Sequence, residues 1–454
     1  MKVLKFGGAC LKDSNSFLRV ADLIENEQAP KAVVVSAVNG VTDLLRKYLE
    51  SEKVSSSRIE SLVHNIEKRH FEIANSAIKE RDILAKTLKI IRANARKLSR
   101  LLYGVAYTGG LTPRTEDLIL SFGERLSAPI LEGVLRARNI KAKALNAEKI
   151  GLVTDSNFGD ATALLEECER NFKKTLLPLV KRNFIPIITG FLGRTKDWKT
   201  TTLGRGGSDY SAAVVAYGLN AEVLELWKDV EGFMSCDPKI VNHAFRLRKL
   251  SYNEAAELAY FGAKLLHPRT IEPVSKKNIL VVIKNIYHPE MGSCITKTGY
   301  KKKMIIKSIA FMRNLAMLKV YGSGAGYKKG LISEITSQLS REGINICSCT
   351  TSQTCLGVIV ESKDLNKGLQ ALESIKGGFI EKVEKIENLA LVCVVGEGLS
   401  YTKGLAARVF TALAKANVNI ELISAGASEV ACHFVIKQND LERAVNEVHK
   451  AFFG

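Results

Sequence analysis

The segment Leu203-Gly204-Arg205-Gly206-Gly207-Ser208-Asp209-Tyr210-Ser211-Ala212-Ala213 decides how the chain is read. Three glycines, an arginine and a serine stand directly before a run of small residues with helical character. A helix N-terminus, a guanidinium fork and a hydroxyl together make an anion site. Asp209 within it is costly unless it meets something positive: a metal, a substrate ammonium or a lysine from another loop. Such a lysine lies in Lys5-Phe6-Gly7-Gly8, which closes an apolar run and turns on two glycines. Glycines let backbone N–H groups approach phosphate oxygens, and a lysine adds a point charge. The G-x-x-x-x-G-K-S/T spacing of a Walker A loop is absent.

Outward from these two loops, residues 2–6, 33–38, 185–190, 222–228 and 279–284 are short runs rich in Val, Ile and Leu, bounded by Gly, Asn, Asp or Pro. Stretches of helical period lie between them, around 117–136 and 251–266. Buried strands alternating with helices predict an α/β domain with a largely parallel sheet. Further motifs fall at strand exits or helix starts. Ser36-Ala37-Val38-Asn39-Gly40-Val41-Thr42 leaves the second run, where α/β proteins bind ligands. Glu124, in Phe122-Gly123-Glu124-Arg125-Leu126, is either the partner of a substrate ammonium or a solvated helix-start carboxylate. Trp227-Lys228-Asp229-Val230-Glu231-Gly232 runs on to Cys236-Asp237-Pro238. Lys264, after Gly262, is either a phosphate contact or a surface charge. Residues 43–102 are polar, helical in pattern and free of glycine, and read as a helical insertion or a lid.

After about residue 300 the chain repeats itself. Asn314-Leu315-Ala316 recurs as Asn388-Leu389-Ala390, and Gly322 and Gly324 as Gly396 and Gly398. Tyr327, Lys329, Gly330 and Leu331 recur as Tyr401, Lys403, Gly404 and Leu405, and Asn345-Ile346 as Asn419-Ile420, all at an offset of 74. Each unit reads strand, Gly-rich turn, helix, strand, strand, helix, a ferredoxin-like βαββαβ sandwich. The expected division is a domain over 1–300 with its helical insertion at 43–102, and two smaller ones over 308–383 and 384–454.

Composition narrows the classes. No apolar stretch reaches the roughly 18 residues of a membrane span, and the N-terminal run is too short for a signal peptide. The formal net charge is +19, but the cations are scattered. The densest run, Lys301 to Lys303, has only Tyr300 as a neighbouring ring, so nucleic acid is not an expected partner. The nine cysteines form no C-x-x-C and are odd in number, which points to free thiols in a reducing cytoplasm and to no resident metal. Cys10, beside Lys5 and the glycines, is expected to have some thiolate character.

KFGG, SAxxGxTDxL, FGERL, GFLG, LGRGGSDYSAA, DPKIV and ELAYFGAKLLHPRTI, taken in order, resemble the aspartate kinases of the amino-acid-kinase family. The duplicated unit resembles the paired ACT domains that follow the catalytic domain in these enzymes. The resemblance implies an amino-acid-kinase fold, a largely parallel sheet sandwiched by helices, followed by two ACT domains. It implies transfer of the ATP γ-phosphoryl to the side-chain carboxylate of L-aspartate, the first step toward lysine, threonine and methionine, with Mg²⁺ carried by the nucleotide.

By matching motifs, Lys5 and Asp209 are the expected catalytic pair, and Gly7 and Gly8 lie near the phosphates. Ser36, Thr42, Glu124, Phe191, Arg205 and Ser208 form the expected aspartate pocket, with Arg205 on the α-carboxylate and Glu124 on the α-ammonium. Lys228, Asp229, Met234, Asp237 and Lys264 are expected to face ATP. A lysine or threonine effector is expected near Gly330, Asn345, Gly404 and Asn419, and ACT pairing is expected to give a homodimer or a dimer of dimers.

Four positions depart from the family pattern. Ala9-Cys10 stands where Thr-Ser is usual, Lys228 where many members have Thr, and Met234 where many have Tyr. Other acceptors, such as glutamate or N-acetylglutamate, and a non-catalytic amino-acid sensor are the competing classes. An end at Gly454 leaves no room for a dehydrogenase domain, so the expected enzyme is monofunctional.

Overall fold

Val3, Leu4 and Phe6, like Ala32 to Val35 and Ile187 to Ile188, carry no polar group that needs water, and all are buried. Short runs of this kind fit strands covered on both faces. The computed structural model describes residues 1–51, 56–263, 265–299, 305–322, 329–377 and 380–454. Its first strands are β1 (Lys2–Phe6), β2 (Lys31–Val35), β3 (Ala142–Leu145), β4 (Ile185–Thr189), β5 (Leu192–Arg194), β6 (Thr200–Thr202), β7 (Val223–Lys228), β8 (Lys249–Ser251), β9 (Leu280–Asn285) and β10 (Gly292–Thr296). Eight of them form one sheet in the order β3-β4-β2-β1-β7-β9-β10-β8, and β5 and β6 form a separate hairpin. Every pairing in the large sheet is parallel except β9 with β10. The expected α/β class is the observed one. Because β1, β2, β4 and β7 run the same way, Gly7, Ser36, Gly190 and Asp229 all leave the sheet at its carboxyl edge.

The segment 43–102 is no lid. Its helices, Ser56–Ala77 and Arg81–Thr108, bury Ile59, Ile66 and Ala74, and Ile91, Ala95, Leu98 and Leu102, in the same core as Leu4, Val33 and Leu131. The spacing of Ile91, Ala95, Leu98 and Leu102 is one face of an α-helix, and the polar composition belongs to the opposite face. The helix expected over 251–266 ends at Tyr260. Gly262 follows with φ 115°, and a Cβ there would lie 2.1 Å from the Phe311 carbonyl oxygen, so only glycine fits.

The chain forms two compact units. One comprises Met1–Phe233, Arg248–Tyr252 and Leu265–Gly299; the other comprises Met234–Leu247, Asn253–Lys264 and Tyr300–Gly454. The second unit is built on β11 (Ser308–Tyr321), β12 (Ser348–Thr351), β13 (Cys355–Glu361), β14 (Lys382–Val395), β15 (Leu422–Ser424) and β16 (Ala431–Lys437). They form one antiparallel sheet in the order β12-β13-β11-β14-β16-β15. The helices Leu331–Arg341, Leu365–Glu373, Leu405–Lys415 and Leu441–Phe453 alternate with these strands along the chain.

The repeat is visible in the cores. Ala316, Leu318, Val320, Ile335 and Leu339 fill one, and their counterparts Ala390, Val392, Val394, Val409 and Leu413 fill the other. The two copies interlock. Met317–Tyr321 of β11 pairs with Ile386–Lys382, while Ser308–Met312 pairs with Val395–Leu391. Each copy's sheet is therefore completed by half a strand from its sister, and the expected boundary at 383/384 falls inside β14. Asn314 and Asn388, equivalent in the repeat, sit at the switch with φ 57° and 61°, a conformation asparagine tolerates. Gly324 and Tyr327 of the repeat, and Lys301 to Lys303, lie outside the described residues. Among the described residues, no helix is long and apolar enough to cross a membrane.

Candidate active site

Register sets the first two charges. Lys5 of β1 pairs with Leu226 of β7, so Lys5, Leu226 and Lys228 project to one face of the sheet. The Gly207–Gly218 helix packs over β1 and β7. Its first turn carries Asp209. Lys5 Nζ lies 2.5 Å from Asp209 Oδ1, and Lys228 Nζ lies 2.8 Å from Oδ2. Lys5 is 5% exposed and Asp209 4%, so the charges meet largely out of water. Burial works against ionisation of Asp209, but the ammonium groups of Lys228 and Lys5 hold its carboxyl well below the usual carboxylate range. Burial also lowers the Lys5 pKa, which Asp209 opposes and the nearby Lys228 charge reinforces.

The turn before the helix depends on Gly206. Its φ is 71°, and a Cβ there would lie 2.4 Å from His267 Cβ. The N–H groups of Gly207 and Asp209 are spent inside this turn, on the carbonyls of Gly204 and Gly206. Arg205 is exposed at the tip.

A second group gathers at the exit of β2. Glu124, in the first turn of the Phe122–Ala137 helix, accepts the Ala37 N–H on Oε1 at 3.1 Å. Its Oε2 has no hydrogen-bond partner among the described residues, and the residue is 2% exposed. Burial pushes its carboxyl up to about 8. Ser127 Oγ donates to the Ser36 carbonyl at 2.7 Å, and a Cβ on Gly123 would lie 2.6 Å from Ala37 Cβ and 3.1 Å from Thr42 Oγ1. The helix start is thus pressed onto the Ser36–Thr42 loop. Phe191, with φ 67°, sits against the Gly207 backbone, and Ser208 sits against Gly190. Lys5 is among the charges acting on Glu124, so the two groups make one site at the sheet's carboxyl edge.

The glycine loop borders both groups. A Cβ on Gly7 would lie 3.4 Å from Lys5 Nζ, and one on Gly8 3.3 Å from the Ala37 carbonyl. Cys10 contradicts its expected thiolate character. It is 1% exposed, donates from Sγ to the Trp227 carbonyl at 3.3 Å, and is pushed up to about 11 by burial. Lys5 lowers its pKa too weakly to offset that burial.

Asp229, expected to face a nucleotide, is exposed at the end of β7, with Lys12 Nζ 3.8 Å from its carboxylate. Met234 and Asp237 belong to the second unit. There the Met234 carbonyl accepts from Ser308 Oγ, and Asp237 accepts the Lys239 N–H to close a turn. Lys264 lies outside the described residues. Gly330 and Gly404 cap the helices that follow them, with φ 93° and 80°. Asn345 and Asn419 are exposed and precede β12 and β15 by three residues.

Two features escaped the motif reading. Lys228 shares Asp209 with Lys5, a placement signalled only by its even spacing from Leu226. Asp117 is buried and accepts from Thr202 N (2.8 Å), Thr202 Oγ1 (2.6 Å) and Gly159 N (3.0 Å), bracing β6 just ahead of Leu203. No neighbouring motif marks it.

A profile described as the amino acid kinase family matches residues 1–285, and one described as an ACT domain matches residues 392–452. Aspartokinase 1 (chloroplastic) of Arabidopsis thaliana is 33% identical over 465 residues, covering 99% of this chain and 80% of that protein. The bifunctional aspartokinase/homoserine dehydrogenase of Buchnera aphidicola is 31% identical over 465 residues; the match covers 100% of this chain but 56% of that protein. The chain thus spans about half the length of the bifunctional relatives it matches. Among solved structures, E. coli aspartokinase III in complex with aspartate and ADP (R-state) superposes with a TM-score of 0.87 at 28% identity, over 100% of both chains. The same enzyme in complex with lysine and aspartate (T-state) gives 0.81 at 29% identity, again over 100% of both chains.

Proposed function

The chain belongs to the amino acid kinase family, in its aspartokinase branch, and we propose on that premise that it phosphorylates the side-chain carboxylate of L-aspartate with MgATP. An oxygen of that carboxylate forms a bond to the γ-phosphorus, and the bond from phosphorus to the β–γ bridging oxygen breaks. ADP leaves with the electron pair, and 4-phospho-L-aspartate remains, an acyl phosphate suited to the first step toward lysine, threonine and methionine. The acceptor carboxylate is already ionised at neutral pH, so no proton has to be removed from it. The observation that carries the reading is the buried Lys5–Asp209–Lys228 group at the carboxyl edge of the sheet. Bringing two anions together needs fixed positive charge and positioning more than covalent chemistry. Asp209, held ionised by two ammonium groups, serves to aim them and is unsuited to act as a base. Mg²⁺ enters with the nucleotide phosphates. The test is ADP release from MgATP with L-aspartate, L-glutamate and N-acetyl-L-glutamate; turnover only with either glutamate compound would replace this reading.

In the substrate pocket, Glu124 Oε2 takes the α-ammonium and Arg205 the α-carboxylate. Ser36, Thr42, Phe191 and Ser208 form its walls, and Gly7 and Gly8 approach the phosphates. Arg205→Ala is expected to raise KM for aspartate by roughly 10–150-fold, the worth of a charged bidentate contact, and to leave KM for MgATP within about twofold. Loss of ATP affinity with aspartate affinity intact would reverse the assignment.

The duplicated second unit is the proposed sensor. A relative is described in complex with lysine, and the turns capped by Gly330 and Gly404 present helix starts suited to an amino-acid carboxylate. The short outer strands β12 and β15 leave edges on which a second copy can pair into a homodimer. Calorimetric titration of the full chain with lysine and threonine, singly and together, is expected to show binding by at least one. It is also expected to show inhibition, with a coupling of about 5–150-fold. If neither binds, the repeat is an assembly module.

A further inference from the structure

Among the described residues, none accepts a hydrogen bond from the Arg205 guanidinium, which is exposed at the tip of its turn. Its aim is therefore set by the backbone of that turn, and the turn leans on three neighbours. A Cβ on Gly204 would lie 2.3 Å from Asp160 Oδ1, and one on Gly206 2.4 Å from His267 Cβ. The third neighbour is Arg269, which donates from Nη1 to the Leu203 carbonyl at 3.4 Å, directly ahead of Gly204.

Arg269 also holds the other two. Its Nη1 lies 2.5 Å from Asp160 Oδ1, and its backbone N–H donates to His267 Nδ1 at 3.4 Å. Its Nη2 donates to the Ala161 carbonyl at 2.6 Å and to Thr162 Oγ1 at 3.1 Å, and the guanidinium carbon stands 4.7 Å from the centre of the Tyr210 ring. The Asp160 side chain is 66% exposed, so its ion pair adds little stability by itself. What the fork supplies is geometry: one planar group joins the 160–162 segment, Leu203 and the first turn of the Gly207–Gly218 helix. With both terminal nitrogens committed to these acceptors, the fork has no reach left for a substrate. Any effect it has on aspartate passes through the turn.

We propose that Arg269 is a positioning residue for the aspartate pocket: it fixes the 203–207 turn and so holds the Arg205 guanidinium on the α-carboxylate. This rests on the assignment of Arg205 made above. Loss of the fork then weakens aspartate and spares MgATP, and it does so only while Arg205 is present. A residue that merely stabilised the fold would lower the melting temperature, and any effect it had on aspartate would multiply with that of Arg205→Ala.

The test is a double-mutant cycle on the full chain, with Arg205→Ala as one arm. The other arm is Arg269→Gln, Arg269→Met or Arg269→Lys, whichever is folded by near-ultraviolet circular dichroism, since each removes the fork. That variant alone is expected to lower kcat/KM for L-aspartate, and its affinity by calorimetry, roughly 10–100-fold, the scale of loss when a contact group is misplaced by about 1 Å. KM for MgATP should stay within about twofold. In the Arg205→Ala background the same change should cost less than about twofold. Wild-type-like aspartate affinity in the single variant would overturn the proposal. So would full multiplication of the two losses in the double variant, or an equal loss of MgATP affinity. If Arg205→Ala itself leaves aspartate affinity unchanged, the pocket assignment fails and takes this proposal with it. If the wild-type chain releases no ADP, the kinase reading fails, and calorimetry with L-aspartate still completes the cycle.

Discussion

Lys5→Ala and Asp209→Asn are each expected to lower kcat by roughly 10²–10³, the usual effect of deleting one preorganised charge-stabilising group. The two variants should part company in stability. Lys5→Ala leaves Asp209 its contact with Lys228, so the remaining pair is still neutral. Asp209→Asn strands two ammonium groups on one side chain in a site only 4–5% exposed at Lys5 and Asp209. Breaking a buried ion pair by removing one partner costs about 3–5 kcal/mol. The expected picture is similar loss of turnover, with a marked drop in melting temperature for Asp209→Asn alone. Steady-state ADP release and thermal melts at one pH decide it. Near-normal kcat in either variant would remove that residue from the chemistry.

Aspartate affinity is expected to rise about tenfold per pH unit from about pH 6 to about pH 8, then to level off. Glu124 is the cause. Burial holds its carboxyl protonated up to about pH 8, while an α-ammonium needs it ionised. Below that pH each bound aspartate must therefore displace about one proton. Calorimetry at pH 7 in buffers of different ionisation enthalpy reads that proton directly. Stability has the opposite slope. The folded pKa stands above the ordinary value of 4.5, so the folded state binds more protons than the unfolded one between about pH 4.5 and 8, and stability falls as pH rises through that window. Glu124→Gln should flatten both profiles and weaken aspartate binding. A pH-independent affinity with no proton release would sink the assignment of Glu124 to the ammonium.

Much of this was legible in the residues, for physical reasons. Strands buried on both faces have to be continuous apolar runs, so β1, β2, β4 and β7 announced themselves. Asp209 beside three glycines posed a problem that a cation could solve, and Lys5 stood in a second glycine loop at a strand end. What stayed hidden depends on register and burial. The sharing of Asp209 by Lys228 needs the pairing of Lys5 with Leu226, which no motif states. The chemistry of Cys10 turned on the direction of its Sγ. Near a lysine in sequence it looked activated; in space it faces a carbonyl, and burial decides its pKa. The 43–102 segment read as an insertion or a lid because the polar face of long amphipathic helices dominates their composition.

The exchange of half-strands between β11 and β14 has a consequence for how the duplicated halves melt and mutate. Neither copy possesses a complete sheet of its own, so neither has a free energy of unfolding separable from its sister's. The pair forms a single cooperative block. Inserting or deleting one residue between Met312 and Met317 would move Ser308–Met312 against Val395–Leu391 by one position while the other half of β11 kept its pairing, sending Ile309 from the core to the surface. A lesion in one copy would thus be suffered first by the other. Since Asn314 and Asn388 occupy this crossing in both halves, the ancestral duplication is locked in as an obligate partnership rather than kept as a spare.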